Sequence, residues 1–284
     1  MTDAKNRRSL MVYSALTADD LPDVMSSGAD LVCFDLEDGT ALPRKDEARL
    51  AIMQAFARRN QGGASALLRI NSPRINHGLR DLLAVLDSAS PPDGLVLPKV
   101  SHPLEVRWGG ELLETHHPQM ELIPLIEDQA GLDHANAIAA AHPMVSALFL
   151  GSVDLSGELR SDMSWDALFD ARATLVRAAS AAGIDCIDGP WLDVDDAAGL
   201  TEEVARVAAM GFTGKASYSP RQIATLHSAF TPNAEQLALA LRVVAAVDSS
   251  ATGGAVVDGR SVNKANAKGA RRLLKLARRR GVYP

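Results

Sequence analysis

Seven apolar runs of this 284-residue chain end in charged or amide side chains. The second run ends in Asp35, Glu37 and Asp38, the third in Arg69 and Asn71, and the fourth in Lys99. The fifth carries Glu127 and Asp128, the sixth Asp154, the seventh Asp188 and the eighth Lys215. A charge at the end of an apolar run has to be solvated, paired or metal-bound. Glu127 and Asp154 close successive runs, so their carboxylates can converge. Two carboxylates, with water and substrate oxygens completing the shell, are the hard ligands that Mg²⁺ prefers. Ordinary loop salt bridges explain the same pair equally well, and spacing alone leaves both open. Zinc is not indicated, because the chain has no HxxxH, no CxxC and no histidine cluster.

Arg69 follows the same logic. A guanidinium leaving an apolar strand needs an anionic partner, and its planar fork suits a carboxylate. That partner is a substrate, or one of Asp35, Glu37 and Asp38 on the neighbouring run, and both can hold together. Lys99 and Lys215 are expected first as structural ion pairs. Lys99 is kept among the substrate-binding candidates with Gly151 and Ser152, whose loop can offer backbone N–H groups to a carboxylate. The seven histidines do not cluster and none closes a run, so no histidine base is visible. Tyr218 and Ser219 form no Ser/His/Asp arrangement.

The elements that must hold these residues repeat along the chain. The apolar runs are Ser9–Ala15, Leu31–Asp38, Ala66–Pro73, Gly94–Val100, Glu121–Asp128, Ala147–Asp154, Asp185–Pro190 and Phe212–Tyr218. Helix-compatible stretches follow most of them, among them Thr17–Ser27, Arg44–Arg59, Asn76–Ser88, Trp165–Ala182, Asp193–Met210 and Pro220–Phe230. Thr17 and Ser164 are candidate caps. Strands alternating with helices pair in parallel through crossovers, and eight such units predict an α/β fold, a closed (β/α)₈ TIM barrel with a C-terminal helical arm. An open doubly wound sheet is the alternative, but the glycine-rich first turn it brings is missing.

The barrel is expected over 1–230. The remainder, 231–284, reads as one further helix over 233–248, a small-residue linker at 249–255 able to act as a hinge, the segment Val256–Val262, and a basic helix over 264–280. Residues 254–284 hold nine Lys and Arg against the single Asp258, a net +8, which leaves −14 on residues 1–253. An acidic body argues against nucleic acid as a general partner. The basic tail is either a solvated face or a contact for a phosphate or a neighbouring acidic subunit. No run of 18 apolar residues occurs, so no membrane span is expected. The N-terminal MTDAKNRRSL lacks the apolar stretch of a secretion signal, and two cysteines suit a reducing compartment, so the cytoplasm is expected.

Taken in order, DLEDGTALPRKDEAR at 35–49, RIN at 69–71, LPKV at 97–100, LIED at 125–128, GSVDLS at 151–156 and GFTGKASYSPRQI at 211–223 resemble the HpcH/HpaI aldolase–citrate lyase family. The likeness is strongest to its citrate lyase beta-subunit-like branch, which includes malyl-CoA and citramalyl-CoA lyases. The resemblance implies a Mg²⁺-dependent barrel that makes or breaks carbon–carbon bonds. It implies Glu127 and Asp154 as metal ligands and Arg69 as the group on the substrate's oxygens. Asp35, Glu37 and Asp38 would organise the metal waters and Arg69. Arg8 and the basic tail would meet the phosphates of a CoA ester. The resemblance also implies a trimer or hexamer in which the C-terminal arm covers a neighbour's site.

Three segments depart from that pattern. Ser14-Ala15 stands where the family has a Pro-Gly turn, and Tyr218-Ser219-Pro220 where it has Ile-His-Pro. Asn263 stands where the arm carries an acid/base aspartate, and asparagine cannot shuttle a proton. The expectation is a Mg²⁺-dependent carbon–carbon lyase acting on a hydroxy acid or its CoA ester and releasing a glyoxylate-, pyruvate- or oxaloacetate-like oxo acid. A short-chain aldolase for free hydroxy-oxo acids, or a catalytically idle barrel that retains ligand binding, remain the alternatives.

Overall fold

The computed structural model describes residues 5–59 and 62–283. Residues 1–4, the start of the segment read for a secretion signal, and Pro284 of the basic tail lie outside the described residues. Eight strands form within residues 7–226. They are β1 (Ser9–Ser14), β2 (Leu31–Asp35), β3 (Ser65–Arg69), β4 (Gly94–Leu97), β5 (Glu121–Ile126), β6 (Ala147–Leu150), β7 (Asp185–Asp188) and β8 (Gly214–Ser217). They pair in parallel in chain order, and β8 returns to β1 to close the barrel. β2, β4, β5 and β6 are mostly Leu, Val, Ile or Phe because a barrel strand is covered on both faces. Inside, Leu10, Leu31, Cys33, Leu67, Val96 and Ile123 pack with Phe149 and Ile187.

The helices start and stop for local reasons. Ser164 accepts a hydrogen bond from the Ala167 N–H and opens the helix Trp165–Ala182, which Gly183 ends at φ +72°. Such a left-handed cap costs glycine little. Thr17 is not a cap. The Ser14 hydroxyl takes that role, accepting from Leu16 N–H, and Thr17 donates to the Ser14 carbonyl.

Four expectations about position are corrected. Asp154 does not end a strand, because β6 stops at Leu150 and Asp154 lies in the first turn of the helix Ser152–Glu158. Arg8 precedes β1, so it sits at the N-terminal end of the barrel. There Asp30 accepts from its Nε and NH2 at 2.9 and 2.8 Å. Lys215 is the second residue of β8 and fully buried, paired with Asp188 and Glu203 at 2.6 Å each. Burial alone would raise the Asp188 carboxyl, but Lys215 and Arg172 hold it below its ordinary value. Asp188 and Lys215 are thus a structural pair between barrel and helices.

The fourth correction concerns the tail. Residues 227–283 form a second unit with Lys5 and Asn6. The helix Ala234–Asp248 opens with a capping box between Asn233 and Gln236. β9 (Gly254–Val257) and β10 (Arg260–Asn263) form an antiparallel hairpin, followed by the helix Lys264–Arg279. Val243 and Val247 share a core with Val257, Val262 and Ala267. The 249–255 stretch is therefore a folded turn and not a free hinge. Ser250 Oγ donates to the Gly254 carbonyl at 2.5 Å, and Gly253 sits at φ +73°. Asn263 is the N-cap of the last helix, accepting from the N–H groups of Ala265 and Asn266.

Candidate active site

The site is built at the C-terminal ends of β2 to β6, the end that carries chemistry in barrels of this kind. Asp35 and Arg69 are register partners on β2 and β3. The Arg69 Nε and NH2 donate to the two Asp35 oxygens at 2.8 and 2.5 Å. Asp35 also accepts the N–H groups of Glu37 and Gly39, at 2.8 and 2.6 Å, and so folds the loop that follows β2. A Cβ on Gly39 would lie 2.5 Å from Asp35 Oδ2, which explains a glycine at that place in DLEDG. The loop is buttressed from below. Lys45 donates to the carbonyls of Leu36 and Glu37 at 2.8 Å each. Arg49 binds the buried Asp81, and Asp81 in turn accepts from the N–H and Nδ2 of Asn71.

The remaining acids gather around Lys99. Its Nζ lies 2.8 Å from Asp154 Oδ2 and 3.1 Å from Glu37 Oε1. It lies 3.9 Å from both Asp38 Oδ2 and Glu127 Oε1. The Lys99 backbone N–H donates to Glu127 Oε1 at 2.7 Å. Gly151 packs on Glu127 so closely that a Cβ there would meet Glu127 Cβ at 2.4 Å. The structure thus brings Asp35, Glu37, Asp38, Arg69, Lys99, Glu127, Gly151 and Asp154 together, with Ser152 beside Asp154 on the same helix turn. Arg8, Asp188 and Lys215 lie elsewhere. Lys45, Arg49 and Asp81 are positioning residues missed by sequence reasoning. Lys45 and Arg49 stand in the DLEDGTALPRKDEAR segment, which was the signal available for them.

Charge decides what this site can hold. Burial, and next the Glu37 charge, push the Glu127 carboxyl up to about 8, against the pull of Lys99. Burial also raises Glu37, with Arg69 opposing it. Burial works against a charged Lys99, but the hydrogen bond to Asp154 and the charges of Glu127 and Glu37 hold its ammonium well above its ordinary value. Arg69 NH1 comes within 3.1 Å of Glu37 Oε2 without hydrogen-bond geometry, leaving that buried oxygen without a hydrogen bond. The buried Ser152 Oγ has none either. An excess of carboxylates, one of them raised by like charge, and an unsatisfied buried oxygen fit a hard divalent cation. Among the described residues no three His, Cys, Asp or Glu side chains converge to hold a metal by themselves. Glu127 and Asp154 would be two ligands, with water and substrate oxygens completing the shell.

A closed parallel barrel with a guanidinium and a carboxylate cluster at its C-terminal mouth defines a class of small-acid enzymes. The HpcH/HpaI aldolase/citrate lyase family matches residues 8–220, and the chain belongs to this family. The human mitochondrial citramalyl-CoA lyase is 32% identical over 257 residues, covering 84% of this chain and 75% of that protein. The citrate lyase beta subunit of Escherichia coli K12 is 30% identical over 278 residues, covering 92% of this chain and 91% of that protein. The crystal structure of CitE from Mycobacterium tuberculosis, in complex with magnesium, acetoacetate and coenzyme A, is 30% identical. It matches with a TM-score of 0.80 over 97% of this chain and 99% of that one.

Proposed function

We propose that the chain is a Mg²⁺-dependent carbon–carbon lyase that cleaves a hydroxy acid or its CoA ester and releases a glyoxylate-, pyruvate- or oxaloacetate-like oxo acid. The observation that carries this reading is the meeting of Arg69 with Glu127 and Asp154 at one barrel mouth. The names of the relatives, citramalyl-CoA lyase and citrate lyase beta subunit, support the substrate class. The magnesium and coenzyme A bound to CitE support the cofactor and the thioester.

Glu127 and Asp154 would hold the Mg²⁺, which would supply Lewis-acid polarisation of the substrate's carboxylate and neighbouring oxygen. The chain's own residues do the rest. Asp35 occupies Nε and NH2 of Arg69, so NH1 is the edge left for the alkoxide that forms when the substrate hydroxyl gives up its proton. The fixed guanidinium needs no reorganisation at that moment. Glu37 and Asp38 hold the water and ammonium groups around the reacting oxygens. The alkoxide becomes the carbonyl of the oxo acid as the carbon–carbon bond breaks, and the bond's electron pair leaves with the other half as an enolate, which takes up one proton in place of the one the hydroxyl gave up.

Asn263 favours a second reading, a short-chain aldolase for free hydroxy-oxo acids, because an amide there cannot serve as the acid. For the assembly we infer a homotrimer or a dimer of trimers, supported by a +8 tail on a chain whose remainder carries −14. The two buried free cysteines support a reducing compartment such as the cytoplasm. Among the described residues no helix is long and apolar enough to cross a membrane.

The deciding experiment is a Mg²⁺-dependent screen of malyl-, citramalyl- and citryl-CoA beside free 4-hydroxy-2-oxo acids. Cleavage of a CoA ester that a chelator stops is expected. Cleavage of free acids alone moves the assignment to the aldolase. Turnover undiminished by chelator, or none with any substrate, overturns the lyase reading.

A further inference from the structure

Lys99 is placed in an unusual way for a surface-side lysine. Its ammonium touches both proposed metal ligands, Asp154 at 2.8 Å and Glu127 at 3.9 Å, and both acids of the loop after β2, Glu37 at 3.1 Å and Asp38 at 3.9 Å. The backbone is fixed around it. Lys99 has φ +54°, in the left-handed region that a lysine adopts only at a cost. Its N–H donates to Glu127 Oε1 at 2.7 Å, and its carbonyl accepts from the Arg74 guanidinium. A glycine would take the same backbone without strain. What a lysine adds here is therefore the ammonium itself.

We propose that Lys99 is the resident counter-cation of this carboxylate group, and that a divalent cation loads on Glu127 and Asp154 only by displacing its ammonium toward Glu37 and Asp38. The proposal rests on the metal reading above. Its first argument is electrostatic. An ammonium 2.8 Å from Asp154 and a divalent ion on the same carboxylate would stand within a few ångströms of each other. Their repulsion at such a separation is far above thermal energy, even at the high effective dielectric of a protein surface. The second argument is that a destination exists. Glu37 and Asp38 already lie within 4 Å of Nζ, and the side chain is partly exposed, so a small rotation takes the charge from one pair to the other.

Two consequences follow from the exchange. Without metal, the ammonium offsets the negative charge gathered around it and so holds the site assembled. On Glu127 and Asp154 the exchange replaces one positive charge by two, whereas a monovalent cation has little to offer there over the lysine. Lys99 thereby sets both the affinity of the site and its preference for a divalent ion.

Calorimetric titration of Mg²⁺ into the metal-stripped full chain, its Lys99→Gly variant and its Lys99→Met variant tests this. Glycine keeps the left-handed backbone and its bond to Glu127, while methionine keeps a side chain of similar length without charge. Both variants should bind Mg²⁺ at least about tenfold more tightly than the parent. In chelator both should melt below the parent, and at saturating Mg²⁺ that gap should close. An unchanged or weaker Kd in the variants overturns the proposal and leaves the metal reading standing. Tightening in Lys99→Gly alone traces the effect to the backbone and also overturns it. A parent chain that binds no Mg²⁺ overturns both together.

Discussion

Asp35 and Arg69 face each other across the β2–β3 register, and two hydrogen bonds of 2.8 and 2.5 Å lock the guanidinium in the plane of the carboxylate. Structural pairing and substrate binding are therefore not rival roles for Arg69. The pair with Asp35 is what aims the remaining edge of the fork. Arg69→Lys keeps the charge but cannot make the two-point contact. We expect kcat/KM to fall by roughly 10²-fold, with a lower melting temperature because Asp35 loses part of its satisfaction. If Arg69→Lys turns over like the parent, Arg69 serves only to hold Asp35.

Glu127→Gln and Asp154→Asn should each abolish Mg²⁺-dependent turnover, by roughly 10²-fold or more, since each removes one of two charged ligands. Asp154 is exposed, and Glu127→Gln keeps the size of its buried side chain, so circular dichroism should show an unchanged fold. Full activity in either variant removes that residue from the metal assignment.

The register that joins Asp35 to Arg69 illustrates what was legible in the sequence. Seven of the eight strands fall inside the apolar runs and β3 begins one residue before its run, because strands covered on both faces are rich in apolar residues. Arg8 was misplaced among the substrate-binding groups, although chain direction excludes it. A residue before β1 cannot share an end with residues after β2 to β6. Asp154 misled because Val153 extends the apolar run past Leu150, while no cap residue marks the helix that starts at Ser152. Asp81 follows Arg80 in the helix Asn76–Leu86 with no local signal of its role, and only tertiary packing buries it against Asn71 and Arg49. The placement of Lys99 depends on a left-handed φ that no sequence rule requires of a lysine. In the tail, Asp258-Gly259 is the dipeptide of a tight hairpin turn, with φ of +49° and +77°, inside the segment Val256–Val262, for which no hairpin is expected above.

Glu127 gives the pH dependence. Its carboxyl stands at about 8 in the folded chain against an ordinary 4.5. A carboxyl raised by folding favours the fold while it is protonated. That contribution is complete below pH 4.5 and is lost as the pH rises through about 8. In chelator, the parent should therefore lose stability over this window, and Glu127→Gln should lose less. Metal binding must also expel the proton, so Mg²⁺ affinity should climb with pH up to about 8 and then level off. Melting curves and titrations across pH 5–9 check both slopes, and parallel curves for parent and Glu127→Gln would show that this carboxyl is not the source.

The buried pair away from the site gives a control for stability. Lys215 and Asp188 are both fully buried, with Arg172 donating to Asp188 at 3.0 Å. Lys215→Met leaves Asp188 and Glu203 short of a partner, which typically costs about 3–5 kcal/mol. Denaturant unfolding should show that loss. Residual native enzyme should keep its KM, since neither residue borders Arg69 or Glu127.

Asn263→Asp separates chemistry from architecture in the tail. The Asn263 side chain caps the helix Lys264–Arg279, accepting from two N–H groups, and aspartate caps as well as asparagine. The variant should therefore fold and melt like the parent, within about 0.5 kcal/mol. What changes is the ability to carry a proton. If the arm covers a neighbour's Glu127 and Asp154 in the proposed trimer, the new carboxyl would stand where the departing enolate needs an acid. We expect cleavage of CoA thioesters to rise in Asn263→Asp while turnover of free acids stays level, measured with both substrates on the same preparation. A variant that folds, assembles into the parent oligomer and gains nothing on CoA thioesters places the missing acid elsewhere, and the half-exposed Tyr218 at the end of β8 is then the group to replace next.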